Sequence, residues 1–123
     1  MNDYKWRDMD VLLEKVQGVA TVGTNDVLLF PVVKQGEIWH VTHIGASANA
    51  NVSYVYTMIR WNTIDYIMRS GVTVAANIGG ALDVNFFVPE GARVKLVFSN
   101  PGASAIIYGI VNGWIMRCNK GAQ

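Results

Sequence analysis

Three strand-like segments at the end of the chain, joined by two tight turns, most limit the folds that this sequence can adopt. Leu82–Val88, Arg93–Ser99 and Ala105–Met116 are rich in β-branched and aromatic residues. Pro89-Glu90-Gly91 and Asn100-Pro101-Gly102 separate them, and proline with a following glycine is typical of turns. The region therefore predicts antiparallel β-structure, and it contains no set of residues equipped for catalysis.

The middle of the chain continues this pattern. After Gly18 the apolar residues tend to recur at every second position, which is the period of a half-buried strand. The further predicted strands are Val19–Val22, Val27–Val33, Glu37–Ile44, Val52–Trp61, Ile64–Met68 and Gly71–Ala76. So many short strands with turn residues between them predict an all-β fold, an antiparallel β-sandwich of the jelly-roll type, over residues 18–123.

The first seventeen residues have a different spacing, which predicts a short amphipathic N-terminal α-helix. The apolar residues at three- and four-residue steps are Trp6, Met9, Leu12, Leu13 and Val16. Asn2 or Asp3 is placed to cap this helix, and Gly18 is placed to end it. The predicted organisation is thus a helical arm of residues 1–17 followed by the β-domain, with the apolar stripe of the arm as a candidate partner interface.

Composition favours packing over solvation. Charged residues make up 15% of the 123-residue chain and hydrophobic residues 51%, so we expect neighbouring subunits to cover part of the sheet surface. The net charge of +1, without a basic run, argues against nucleic acid or a membrane surface as partner. The first residues lack the apolar segment of a signal peptide, and Ala105–Met116 is too short to span a bilayer. We therefore expect synthesis in a cytoplasm.

No group of residues predicts an active site. His40 and His43 are three positions apart on a predicted strand, which would place them on opposite faces and prevent them from binding one ion together. The serines lack a nucleophile elbow, the carboxylates form no recognisable pair, and Cys118 has no base nearby in sequence. The chain is expected not to be an enzyme, with no catalytic residue, no cofactor and no metal.

A group of aromatic residues supports a second interpretation. Trp39, Tyr54, Tyr56 and Trp61 lie close together in sequence and could form a sugar-stacking platform. Aromatic residues more often fill cores and subunit contacts in β-sandwiches, so we favour that role for them.

Three segments resemble small β-sandwich structural proteins of tailed-phage virions. Gln35–Ile44 resembles their opening strand, Phe86–Val94 an apolar strand that leads into a turn with proline and glycine, and Tyr108–Ile115 their final strand. The resemblance extends roughly over residues 30 to 116.

This resemblance implies a virion structural protein, most often a capsid decoration (cement) protein of a bacteriophage head. It implies a homo-oligomer, expected to be a homotrimer, that binds the major capsid protein or another virion protein and is located in the virion. The helical arm would then anchor neighbouring subunits. The alternative is a carbohydrate- or receptor-binding β-sandwich module of a tail or fibre.

Overall fold

The computed structural model describes residues 5–19, 25–74, 76–99, 102 and 104–119. The strands are β1 (Lys5–Val19), β2 (Asp26–Leu29), β3 (Glu37–Ala48), β4 (Val52–Trp61), β5 (Ile64–Val74), β6 (Gly80–Val88), β7 (Arg93–Phe98) and β8 (Ile106–Asn119). They form two four-stranded sheets, the first in the order β1-β8-β3-β6 and the second in the order β2-β7-β4-β5. None of the described residues belongs to a helix that could cross a membrane.

The strand order is that of a jelly roll. The chain is one long antiparallel hairpin in which β1 pairs with β8, β2 with β7, β3 with β6 and β4 with β5. The hairpin wraps so that successive pairs fall in alternate sheets, and the pairings β3–β8 and β4–β7 complete each sheet. Eight strands wound in this way enclose a core between two sheets. The predicted all-β sandwich of the jelly-roll type is confirmed.

The predicted N-terminal helix is wrong, because Lys5–Val19 is an edge strand that pairs with β8 along its length. Leu12 is completely buried and Val16 packs against the core, whereas Val11 and Leu13 between and beside them are exposed. A spacing of four residues fits both a helical period of 3.6 and a strand period of two. Pairing with β8 decides between them, and the strand crosses the boundary at residue 17 where the arm was expected to end. Residues 1–4 lie outside the described residues.

Several strands differ from their predicted bounds, and β3 continues to Ala48 instead of ending at Ile44. β2 ends at Leu29 because Pro31 cannot donate a backbone hydrogen bond to a neighbouring strand. The segments predicted as Ile64–Met68 and Gly71–Ala76 form one strand, β5, which runs to Val74. The strand expected at Val19–Val22 begins at the last residue of β1 and otherwise lies outside the described residues.

The core lies between the two sheets and consists of inward-facing strand residues together with Phe30, Val33 and Ala92 from the connecting segments. Thr57 is the one polar residue among the described side chains that is buried there. The largest fully buried side chains include Phe30, Phe98, Leu12, Leu96 and Ile107. This arrangement leaves two outer sheet faces and the open edges of the sheets as possible interaction surfaces.

Candidate interaction surface

The outer side of the first sheet is unusually apolar. Eight large apolar side chains that point away from the core are between 36% and 69% exposed, and we call this set the outer apolar face. Its members are Met9, Val11, Leu13, Val19, Phe87, Tyr108, Ile110 and Trp114. Most of them lie on β1 and β8, which are neighbouring strands, and polar residues lie among them, since Lys15 is opposite Ile110 and Gln17 is opposite Tyr108.

One row of side chains crosses the whole width of this face. Val11 lies opposite Trp114, Trp114 opposite His40, and His40 opposite Phe87. The imidazole of His40 stacks on the ring of Phe87, with centroids 4.5 Å apart and planes inclined by 18°. Its Nε2 lies 2.7 Å from Oδ1 of Asn85. The stacking and the hydrogen bond together hold the side chains of His40 and Phe87 in place within this row.

Both histidines lie on this outer side, so the prediction that they face opposite sides of the strand is wrong. Val41 and Ile44 are both buried, and this odd spacing shows that the alternation of β3 is interrupted between them. The register shifts after Val41 in the pairings with both neighbouring strands. Such a β-bulge turns His43 to the same side as His40.

The contacts of His43 are those of a surface histidine. Its Nε2 is 3.0 Å from Oδ1 of Asp83, and its Nδ1 is 3.0 Å from Oγ1 of Thr42. Asp83 is almost fully exposed. In the described part of the chain, no three His, Cys, Asp or Glu side chains come close enough to hold a metal ion.

The structure separates the five residues of the predicted partner interface. Leu12 is completely buried, and Val16 packs against the core, so neither is available to a partner. Met9 and Leu13 are exposed on the outer apolar face. The side chain of Trp6 lies outside the described residues. Of the five predicted interface residues, Met9 and Leu13 therefore remain available to a partner, and they belong to a sheet surface instead of a helix.

The aromatic residues do not form the predicted platform. Trp39 is buried in the core, which excludes it from stacking on a ligand. Tyr56 lies between buried Val55 and Thr57 and therefore points to the outer side of the second sheet. Trp61 is exposed at the end of β4. The side chain of Tyr54 lies outside the described residues.

Trp61 instead contributes to a groove between the edges of the two sheets. The groove has a volume of about 350 Å³ and is lined by Ile59, Trp61, Tyr66, Met68, Phe87 and Pro89. Sequence reasoning missed Phe87 because β6 belongs to the other sheet. An outward phenylalanine beside inward Phe86 was the available signal, since a solvated strand position seldom carries so large an apolar side chain.

The outer side of the second sheet is different because charged side chains lie across its centre. Arg60, Arg93 and Lys95 alternate with buried neighbours and therefore point outward, and Asp65 lies opposite Arg60 on the same side of the sheet. Lys95 Nζ donates a hydrogen bond of 2.7 Å to Oδ2 of Asp65. The outer side of the second sheet thus combines these charges with the exposed apolar side chains of Val27, Leu29 and Ile67, whereas the outer side of the first sheet has more exposed apolar side chains and fewer charges.

A small ionic cluster lies near the C-terminal end of β8. Nε of Arg117 donates a hydrogen bond of 3.1 Å to Oε2 of Glu37, and a terminal nitrogen of the same guanidinium donates to Asp10. The Asp10 carboxylate raises the pKa of Arg117 above its ordinary value, chiefly through this hydrogen bond. The cluster joins the ends of β1, β3 and β8, which are neighbours in the first sheet.

Comparison with known proteins identifies the fold but no family. No protein-family model matches the sequence, and curated protein sequences give no match. The coat protein of tobacco streak virus has a similar structure, with a TM-score of 0.53 and 14% identity over 95% of this chain and 90% of that chain.

Two other viral structures are more distant. A structure of infectious bursal disease virus, strain Gx, has a TM-score of 0.49 and 8% identity over 94% of this chain, which spans only 37% of that chain. The vertex protein P5 of PRD1 has a TM-score of 0.41 and 11% identity over 86% of this chain and 97% of that chain. The chain therefore shares a jelly-roll fold with a viral coat protein, and its resemblance to tailed-phage proteins stays a prediction.

Proposed function

We propose that this chain is a structural protein of a virus particle. The observation that carries the proposal is the strand order, because the eight-stranded jelly roll is a recurrent building block of viral capsids. The likeness to the coat protein of tobacco streak virus supports it at the level of the fold. Since one fold serves many functions, the proposal also needs a surface suited to assembly.

The outer apolar face provides such a surface. A subunit of a shell has to bury much of its surface against neighbours, and large exposed apolar patches mark interaction sites on otherwise soluble proteins. Eight partly exposed apolar side chains on one sheet face meet this requirement. The role is non-enzymatic, since such a subunit acts through contacts alone.

We propose more specifically a capsid decoration (cement) protein of a tailed phage, which forms a homotrimer and binds the major capsid protein. The sequence resemblance supports this assignment. The segment Gln35–Ile44 lies in β3 from Glu37 onward, Tyr108–Ile115 lies within β8, and Phe86–Val94 runs from β6 through a turn into β7. The strands β8, β3 and β6 are neighbours in the first sheet, so most residues of the three segments lie together there, and only the end of Phe86–Val94 reaches β7 of the second sheet.

The test is made on the particles of the virus that encodes this chain. Mass spectrometry of purified particles should detect the protein in fixed proportion to the major capsid protein. Particles made without the gene should assemble, open at lower temperature than wild-type particles, and regain their stability when purified protein is added. Absence from purified particles would contradict the virion role. Failure of shells to form without the gene would contradict decoration and indicate a shell-building subunit.

A second candidate function is carbohydrate or receptor binding in a tail or fibre, and the groove between the sheet edges is the observation that favours it. Trp61, Tyr66 and Phe87 line one groove, and aromatic rings stack on sugar faces. Of the side chains that line it, Trp61 and Tyr66 alone carry hydrogen-bonding groups. Sugar recognition uses polar contacts as well as stacking, so the virion structural role remains the first proposal.

Glycan-array binding tests this second function. Binding by the wild-type protein should be lost in Trp61→Ala and in Tyr66→Ala. The control is Ile67→Ala, because Ile67 is exposed on the outer side of the second sheet and belongs neither to the groove nor to the outer apolar face. Binding that survives both groove variants, or no binding by the wild-type protein, would eliminate the groove as a glycan site.

A further inference from the structure

The two outer sheet faces differ in charge as well as in exposed apolar surface. Arg60, Asp65, Arg93 and Lys95 point outward from the second sheet. On the outer side of the first sheet, the acidic and basic side chains that the structure describes are Lys15, His40, His43 and Asp83. His43 and Asp83 neutralise each other when the histidine is protonated. Covering the first sheet with another apolar surface would therefore bury few charges, whereas covering the second would bury several.

The size of the outer apolar face matches the needs of a stable protein interface. From the exposed fractions of its eight side chains, it presents on the order of 700 Å² of accessible surface. The largest apolar patch of a typical monomer covers roughly 300–600 Å². A specific interface buries about 800 Å² on each partner. The eight side chains, together with the polar side chains that lie among them, thus supply roughly the area that one interface needs.

The side chains of the outer apolar face are better suited to binding a protein than to binding a lipid membrane. A membrane-binding surface combines apolar side chains with a basic margin, whereas here Lys15 is accompanied by the acidic Asp83. The face is also the side of a twisted antiparallel sheet, and two such sheets pack face to face with interdigitated side chains. An apolar sheet face is chemically complementary to a second copy of itself.

We propose that the outer apolar face is covered by a second copy of this chain. Trp114, Tyr108 and Phe87 would supply the aromatic anchors of the interface, because buried aromatic side chains dominate the binding energy of protein contacts. The stacked pair of His40 and Phe87 is already fixed before association, which lowers the entropic cost of forming the contact. This inference rests on the self-association included in the proposed function, and it names the surface that carries it.

The mass of the purified full-length protein in solution tests the inference. We expect the wild-type protein to sediment at a multiple of 13.5 kDa. Trp114→Ala should raise the dissociation constant roughly thirty-fold, the effect of losing one interface hot spot. Val11→Lys should have a comparable effect, because it would bury an unpaired ammonium group in the contact. A wild-type protein that is monomeric at all accessible concentrations would overturn the proposal.

The matched control is Ile67→Lys. Ile67 is 64% exposed and Val11 is 69% exposed, and the two residues lie on the outer sides of different sheets. We expect Ile67→Lys to self-associate as the wild-type protein does. Equal dissociation by Ile67→Lys and Val11→Lys, or none by Val11→Lys, would show that the contact lies elsewhere. Circular dichroism of each variant establishes that it is folded.

Hydroxyl-radical footprinting tests the same surface in the unaltered protein. Trp114 and Met9 should be oxidised more slowly in concentrated protein than in dilute protein. Tyr56 and Met58 point to the outer side of the second sheet, away from the outer apolar face, and should be oxidised at the same rate in both. Concentration-independent oxidation of Trp114 would contradict the proposal even if the variants did not fold.

These measurements use purified protein without capsid, so they distinguish the two proposals. Self-association through the outer apolar face combined with absence from particles would overturn the virion role and leave this inference standing. Presence of the protein in particles combined with a monomer in solution would overturn the self-association inference and leave the virion role standing.

Discussion

The carbonyl oxygen of His40 in β3 lies directly against Gly113 in β8: a Cβ atom added to residue 113 would be 1.9 Å from that oxygen. The same atom would be 3.1 Å from the backbone nitrogen of Thr42. The two strands meet here at the bulge after Val41, where the register between them shifts. Glycine often marks the position where one backbone closely approaches another in a sheet.

Gly113→Ala is therefore expected to lower the free energy of unfolding by about 3 kcal/mol or more, at the upper end of overpacking effects. The obstructing atoms belong to the backbone, so they cannot move away by a change of side-chain rotamer. Urea denaturation followed by circular dichroism measures the difference from the wild-type protein.

Gly45→Ala is the matched control within the same sheet. The nearest atom to its added Cβ would be Cβ of Ile110 at 3.7 Å, an ordinary van der Waals contact. We expect it to change the free energy of unfolding by less than about 1 kcal/mol. Similar losses in both variants would show that the close approach at Gly113 does not explain the effect.

Local signals in the sequence are sufficient to predict the turn between β6 and β7. β6 ends at Val88 and β7 begins at Arg93, as expected from Pro89-Glu90-Gly91. Gly91 has a φ of +81°, and the amide of Ala92 donates to the carbonyl of Pro89 at 3.1 Å. These properties depend on the residues of the turn itself, so one segment of sequence contains the information.

Strand β1 and the bulge in β3 depend on neighbours that are distant in sequence. Leu12 and Val16 fit a helix as well as a strand until β8 supplies backbone partners for the whole segment. His43 shares a face with His40 because the register against β6 and β8 shifts. The groove likewise joins Trp61 to Phe87 from the other sheet. Periodicity describes one segment at a time, so it predicts none of these three features.

The burial of Leu12 predicts a large difference between two adjacent leucines of β1. Leu12→Ala should lower the free energy of unfolding by about 2–5 kcal/mol, because it leaves a cavity in the core. Leu13→Ala should change it by no more than about 0.5 kcal/mol, because Leu13 is exposed on the other side of the strand. Measurements in the dissociated state at low concentration separate folding from association.

Equal effects of Leu12→Ala and Leu13→Ala would argue against a strand at these positions.

The same packing predicts that deletion of residues 1–17 unfolds the domain, since it removes most of an edge strand and the fully buried Leu12. Loss of the far-ultraviolet strand signal after this deletion is the expected result. A folded product would show that the remaining seven strands are stable alone.

The ion pair between Lys95 and Asp65 should contribute measurably to stability. Its nitrogen and oxygen are 2.7 Å apart, and the side chains are 13% and 33% exposed. Asp65→Asn is expected to lower the free energy of unfolding by about 1 kcal/mol at low salt, and by less at high salt because ions screen the pair. Asp83→Asn is the control, since Asp83 is 92% exposed beside His43. A loss at Asp83 as large as that at Asp65 would contradict the role of partial burial.

Gly109 faces the core of the sandwich, and its contacts predict a non-additive pair of substitutions. A Cβ atom at this position would lie 2.8 Å from Cδ1 of Leu96 and 3.0 Å from Cζ of Phe30. Gly109→Ala should therefore lower the free energy of unfolding by about 1–3 kcal/mol through overpacking. Leu96→Val removes the obstructing methyl group and should alone cost about 1 kcal/mol.

The double variant Gly109→Ala with Leu96→Val should lose less than the sum of the two single losses, by on the order of 1 kcal/mol, because the new methyl group occupies the space that Leu96 vacates. Val88→Ala is the control partner, since Val88 is also buried but lies on β6, two strands away from β8 in the sheet. Its loss should add to that of Gly109→Ala. Additive losses with Leu96→Val as well would mean that the backbone of β8, rather than the Leu96 side chain, moves to accommodate the added methyl group.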